Sequence, residues 1–190
     1  MGEKTWAGAA GDLWRSALRH KIISLVVALC VIGSLTAVGL AGSASGQATA
    51  SPGGPAAAFS LPALSGSGKV SLRGYQGKPL IVNFFASWCE PCQKETPLLA
   101  RFYRTERGRV AIVGLDENDV RAHAVSFTRS NGVGYPVGFD PAAVAALAYG
   151  VGALPQTFFL DARHRVVDRV FGAVTLADLS QGIALATAKG

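Results

Sequence analysis

Leu80-Ile81-Val82-Asn83-Phe84-Phe85-Ala86-Ser87-Trp88-Cys89-Glu90-Pro91-Cys92 is the stretch on which the reading of this chain turns. Its first seven residues form a short apolar run rich in β-formers, bounded upstream by Lys78-Pro79, which predicts a buried central strand. The segment after it, Gln93 to Arg107, has helical spacing, so both cysteines fall at a strand-to-helix turn. Two cysteines separated by two residues can form and break a small-loop disulfide. Cys89 is expected at the helix N-terminus, where free N–H groups and the helix dipole favour a thiolate, the form that attacks a disulfide. Pro91 suits the first helical position, where its missing N–H is not needed. The competing reading of the pair is half of a zinc site, which needs four ligands. Beyond Cys89 and Cys92 the chain offers Cys30, His20, His123 and His164, and the last two are 41 residues apart. Redox chemistry is the reading favoured, and no metal is expected.

Composition narrows the class. The 190 residues allow one ordinary domain plus a tail, and three cysteines are too few for a disulfide scaffold. Only 16% of residues are charged, and the mean hydropathy of +0.31 implies that an apolar segment inflates it. The net charge of +6 is spread along the chain without a basic run interleaved with aromatics, which argues against nucleic acid as a partner.

The apolar segment runs from Ile22 to Leu40, 19 residues without a charge and long enough to cross a hydrocarbon core of roughly 30 Å. Arg15, Arg19, His20 and Lys21 precede it, and no Lys or Arg follows until Lys69. By the positive-inside rule, residues 1–21 form a cytoplasmic tail and everything after residue 40 is exported. A cleaved signal peptide competes, because Ala48-Thr49-Ala50 resembles a cleavage site. The run exceeds a usual signal-peptide core of about 7–15 residues, so a retained transmembrane anchor over 22–40 is expected. Cys30 lies within it, preceded by Leu29 rather than a small residue, and reads as apolar filler rather than a lipid attachment point. Residues 41–57 are Ala, Gly, Ser, Pro, Thr and Gln, the composition of a flexible linker spanning roughly 20–25 Å.

A folded domain over 58–190 is expected. Phe59–Leu64 and Val70–Leu72 around Gly66-Ser67-Gly68 predict two short strands. Leu98, Leu99, Phe102 and Tyr103 fall at core-facing positions of the helix after the cysteines. Val110–Leu115 reads as a strand ending in Asp116-Glu117-Asn118-Asp119. There Asp119 is a plausible helix N-cap, with Asp116 and Glu117 solvated in the turn; the alternative, a metal site, lacks an EF-hand-like ligand spacing. A helix over 119–130 with Ala122, Val125 and Phe127 partly inward, a strand at Tyr135–Gly138 and a helix over 141–149 follow. Gly150–Gly152 and Leu154-Pro155 then feed the strand Gln156–Leu160. A polar turn at Asp161–His164, a strand over 165–171 and a helix over 175–186 close the chain. His123 and His164 are expected in structural or surface roles. The order predicts a mixed sheet with helices on both faces, a three-layer α/β domain.

A strand, then Trp88-Cys89-Glu90-Pro91-Cys92 and a helix, then Gly152-Ala153-Leu154-Pro155-Gln156-Thr157-Phe158, resembles the thioredoxin superfamily. More narrowly, the anchor, the extra hairpin, Glu95 and Pro97 behind the motif, and the insertion around 116–138 resemble the membrane-anchored TlpA/ResA/CcmG (DsbE) group of extracytoplasmic thiol–disulfide oxidoreductases. The resemblance covers about residues 58–185 and implies a thioredoxin-like fold with an N-terminal β-hairpin extension. It implies that Cys89 attacks, Cys92 resolves, and Pro155 is a cis-proline facing the pair. Leu154 would offer backbone polar groups to the substrate, and Trp88 and Pro91 would shape the surface around the sulfurs. Thioredoxin itself usually carries a buried Asp where this chain has Asn83, and ResA-like members use a Glu after the motif instead, which Glu95 matches. Its plain alternative is an exposed helix carboxylate.

The resemblance further implies reduction of protein disulfides, with apocytochrome c as a frequent target, a membrane reductant that recycles the pair, and no cofactor. Two other classes stay open. A peroxiredoxin-type thiol peroxidase typically needs a Thr three residues before its reactive cysteine, where this chain has Ala86. A thiolate metal-delivery module would need a histidine brought close in space, and none lies near the motif in sequence.

Overall fold

The structure is a computed structural model and describes residues 50–106 and 108–188. The expected cytoplasmic tail over 1–21, the expected anchor over 22–40 and most of the expected 41–57 linker therefore lie outside the described residues. Among those residues no helix is long and apolar enough to cross a membrane.

The elements run β1 (Ser60–Pro62), β2 (Lys69–Ser71), a 3-10 turn (Leu72–Tyr75), β3 (Leu80–Phe85), α1 (Glu90–Thr105), β4 (Ala111–Glu117), α2 (Arg121–Ser130), β5 (Val137–Asp140), α3 (Val144–Tyr149), β6 (Gln156–Leu160), β7 (Val166–Phe171) and α4 (Leu176–Ala188). β1 and β2 pair with each other, and the other five form a sheet in the order β5-β4-β3-β6-β7. β3, β4 and β5 are parallel, whereas β6 runs antiparallel to β3 and β7 antiparallel to β6. This is the mixed, helix-covered sheet expected from the element order.

Every residue of β3 is buried, as its unbroken apolar run requires of a strand covered on both faces. Alternation then divides the core in two. Leu80, Val82 and Phe84 pack with Val113, Leu115, Phe158 and Tyr149 of α3 on one face. Ile81 and Phe85 pack with Ile112, Phe159, Leu99 of α1 and Leu179 of α4 on the other, the face that also holds Cys89 and Cys92. α4 sits so close to this face that a Cβ built on Gly182 would lie 2.3–2.4 Å from Phe159 ring atoms, which is why a glycine occupies a helix interior there.

Several boundaries move, each for a local reason. The folded unit reaches upstream of Ala58, because Gly53 N–H donates to the Val166 carbonyl and Val166 N–H to the Gly54 carbonyl, each in a backbone hydrogen bond. α1 opens at Glu90, so Pro91 is its second residue. Asp119 is not the cap of α2: the helix begins at Arg121 behind Val120, and the Asp119 carboxylate instead accepts from Ser87 N–H at 2.6 Å and Val120 N–H at 2.6 Å. Val125 and Phe127 are partly buried, as expected, while Ala124 and Thr128 are the buried residues of the helix and Ala122 is exposed. α3 starts at Val144 rather than at Pro141, because the Asp140 carboxylate caps it by accepting from Val144, Ala145 and Ala146 N–H groups. Asp116 is not solvated. β4 runs on through Glu117 and buries Asp116 completely, and only Glu117 stays partly exposed.

Candidate active site

The chain leaves β3 at Phe85 and turns through Ala86-Ser87-Trp88 into α1, with Cys89 as the residue that caps the helix. Cys89 N–H donates to Ala86 O, and the first helical bond runs from Gln93 N–H to Cys89 O. Cys89 and Cys92 are joined as a disulfide. Cys92 N–H donates to Cys89 Sγ at 3.2 Å, so one of the free N–H groups of the helix start is aimed at the outer sulfur. The same donor, with the helix dipole, would favour a thiolate there after reduction. Cys89 is 5% exposed and Cys92 0%, so Cys89 is the more accessible of the two.

Glu95 is three residues beyond Cys92 on the inward side of α1, and only 2% exposed, which removes the exposed-carboxylate alternative. Oε1 accepts from Asn83 Nδ2 at 2.8 Å, and Oε2 accepts from Val174 N–H at 2.9 Å. Asn83 Nδ2 also donates to Thr157 Oγ1 at 3.0 Å, while Asn83 Oδ1 has no partner. Burial pushes the Glu95 carboxyl up to about 7, because desolvation outweighs the two hydrogen bonds that favour the charged form. A carboxyl poised near neutrality beneath a dithiol can take or return a proton as the thiols do.

The Leu154–Pro155 peptide bond is cis. Phe84 pairs with Gln156 across antiparallel strands, so Pro155 stands beside Phe85, where the chain turns toward the cysteines. Leu154 packs against the cluster that contains Cys89 and Cys92. Trp88 is 58% exposed and is tethered by its indole N–H to Asn118 O at 3.0 Å. Pro91 lies exposed in the first turn, next to the exposed Glu90–Lys94 pair at 2.8 Å. Cys89, Cys92, Glu95, Trp88, Pro91, Leu154 and Pro155 are thus gathered at one end of the sheet. His123 is exposed on α2, and His164 Nε2 lies 3.0 Å from Tyr75 O. Among the described residues no group of three or more His, Cys, Asp or Glu is placed to hold a metal.

Sequence reasoning missed the loop that braces this site. Asp119 holds Ser87 and Asn118 holds Trp88, contacts between segments about 30 residues apart. No local pattern announces them; the one available signal was four polar residues, Asp116 to Asp119, directly after the apolar run Val110–Leu115.

Comparison with known proteins agrees with this geometry. Residues 52–169 match the AhpC/TSA family. The thiol–disulfide oxidoreductase ResA of Bacillus thuringiensis (strain Al Hakam) is 34% identical over 113 residues, 58% of this chain and 65% of that protein. ResA of Bacillus subtilis (strain 168) is 34% identical over 131 residues, 68% of this chain and 73% of that protein. The chain therefore spans about two thirds of the length of these relatives. Among solved structures, a thioredoxin-family thiol:disulfide interchange protein of Chlorobium tepidum superposes with a TM-score of 0.64 at 26% identity, over 72% of this chain and 97% of that one. A DsbF homologue of Corynebacterium diphtheriae gives a TM-score of 0.62 at 30% identity, over 68% and 85%. A cysteine pair capping the first helix behind a buried strand, a cis-proline beside it, and a family match across most of the folded domain lead to one conclusion: this chain belongs to the AhpC/TSA family of thioredoxin-like proteins, with ResA proteins among its relatives.

Proposed function

We propose that this chain is an extracytoplasmic thiol–disulfide oxidoreductase that reduces protein disulfides through Cys89 and Cys92. The observation that carries the reading is the disulfide at the start of α1 with the buried Glu95 one turn behind it. In the reduced protein, Cys89 thiolate attacks one sulfur of a target disulfide. A bond forms between Cys89 and that sulfur, and the other target sulfur leaves as a thiolate and takes a proton. Cys92, its proton passed toward Glu95, then attacks Cys89 Sγ. This expels the second target thiolate and closes the Cys89–Cys92 disulfide. Two electrons pass to the target, and the oxidised pair awaits a membrane reductant. Trp88, Pro91, Leu154 and Pro155 form the surface that receives the target chain.

The 22–40 segment supports a retained anchor with the domain on the outer face of a bacterial membrane. The resemblance of the motifs to the TlpA/ResA/CcmG (DsbE) group supports apocytochrome c as a target. Peroxidase chemistry is disfavoured: Ala86, buried three residues before Cys89, offers no hydroxyl to a peroxide. The test is the reduction potential of the pair, equilibrated in dithiothreitol or glutathione buffers. A value near or below about −270 mV, that of thioredoxin, supports a reductant. A value near about −120 mV, that of strong oxidants, refutes it.

A further inference from the structure

Asp116 is the least explained buried group of the described residues. Strand alternation places it on the face shared with Ile112, the side of the sheet that holds α1 and the cysteines, and register places it beside Phe85. It is 0% exposed, and neither carboxylate oxygen has a hydrogen-bond donor. An ionised carboxylate in that position would have no hydrogen bond to offset its desolvation, which is a costly arrangement for a fold.

No cation forms an ion pair with it among the described residues. Phe85 and Phe139, its neighbours on β3 and β5, are apolar. α1 brings Cys89, Cys92 and Glu95 to this face, and Glu95 is satisfied by Asn83 and Val174. Arg121 acts on Asp116 from α2, yet its guanidinium donates to the Ala63 and Leu64 carbonyls and lies over the Phe139 ring. Glu117 adds like charge from the same strand, and Asp140 in turn acts on Glu117. The remaining neighbour is Asp119, within hydrogen-bonding reach of Asp116. Two carboxylates have no hydrogen to share, so that contact becomes a bond only when one of them is protonated. Asp119 already accepts from Ser87 and Val120 N–H groups, whereas the buried Asp116 oxygens accept from none, so the proton belongs on Asp116.

We propose that Asp116 is a positioning residue: as a neutral acid it donates its proton to Asp119, and through Asp119 it fixes the Ser87–Cys89 turn that presents the cysteine pair. The role rests on the reading of Cys89 and Cys92 as a redox pair. Asp119 then accepts three hydrogen bonds, from Asp116, Val120 and Ser87, and Asn118 beside it holds Trp88. Burial and the Asp119 charge push the Asp116 carboxyl up to about 8, so the bond persists at neutral pH. Above that, two facing carboxylates repel, and the brace on Ser87 loosens.

The experiment follows the full chain labelled with 13Cγ-aspartate by NMR, together with iodoacetamide alkylation of reduced Cys89. Wild type should show one aspartate titrating near pH 8, and Asp116→Asn should remove that titration while keeping a donor to Asp119. At pH 7 Asp116→Asn should alkylate at the wild-type rate. At pH 9 wild type should be slower than the variant by at most about 1.5-fold, the thiolate lost when a new like charge lifts a thiol pKa of about 8.5 by about half a unit. Asp116→Ala, which removes the donor, should depart from wild type already at pH 7. An Asp116 resonance titrating near the ordinary aspartate range overturns the proposal in wild type alone, whether or not the variants fold. Equal alkylation of Asp116→Asn and Asp116→Ala at pH 7 overturns it as well. Failure of the cysteines to cycle between dithiol and disulfide would instead strike the redox reading, and the aspartate titration would stand apart from it.

Discussion

Replacing Glu95 by Gln removes a buried proton-binding site while leaving the hydrogen bonds recoverable. Gln Oε1 can keep the Val174 N–H, and a turn of the Asn83 amide brings its unpartnered oxygen to face the new Gln Nε2, with the Thr157 hydroxyl rotating to donate. The magnitude follows from the carboxyl's rise from 4.5 to about 7, roughly 2.5 units at about 1.4 kcal/mol each. The folded protein binds this proton more tightly than the unfolded chain. The resulting stability is fully present below about pH 4.5 and is lost as the pH rises through about 7. Integrated between pH 5 and pH 8, the loss is about 2.5 kcal/mol. The assay is guanidinium unfolding of the oxidised protein at both pH values, for wild type and Glu95→Gln. Wild type should lose about 2.5 kcal/mol more than the variant over that interval. The comparison cancels the contributions of Asp116 and Glu117, which have the same sign and are present in both proteins. Parallel profiles would show that the Glu95 pKa is not raised, and the proposed proton exchange with Cys92 would lose its basis.

Three other substitutions probe separate parts of the molecule. Cys92→Ser should accumulate a mixed disulfide with a disulfide-containing substrate on non-reducing gels, whereas Cys89→Ser should form none; adducts through Cys92 instead would reverse the assigned roles. Gly182→Ala should destabilise the fold by about 2 kcal/mol in denaturant unfolding, because its methyl group would enter the Phe159 ring and outweigh a helix-propensity gain of about 1 kcal/mol. A stabilised variant would show that α4 can lift from β6. Asp140→Ala should cost about 2 kcal/mol by leaving three N–H groups at the start of α3 without their acceptor, and hydrogen exchange at Val144–Ala146 should rise with it. Unchanged protection there would mean that the helix start is held by packing alone.

What the sequence determined by itself is what depends on near neighbours along the chain. The unbroken apolar run of β3, the cysteine spacing, Pro91 in the first turn and the Gly-rich approach to Leu154-Pro155 are local signals, and local backbone chemistry answers them directly. They were enough to place the strand, the redox pair and the order of the layers. The tertiary structure decided the protonation chemistry. A carboxylate's pKa depends on what surrounds it in three dimensions, and Glu95, Asp116 and Glu117 look alike in sequence as acids beside polar neighbours. Burial against Asn83 and Val174 turned Glu95 from a possible surface charge into a group poised near neutrality. Two more residues of β4 carried Asp116 inside rather than into a solvated turn. Asp119 was taken from a helix cap to the Ser87 N–H by a loop that crosses between distant segments. Desolvation is set by the whole packed environment, and no spacing along the chain encodes it.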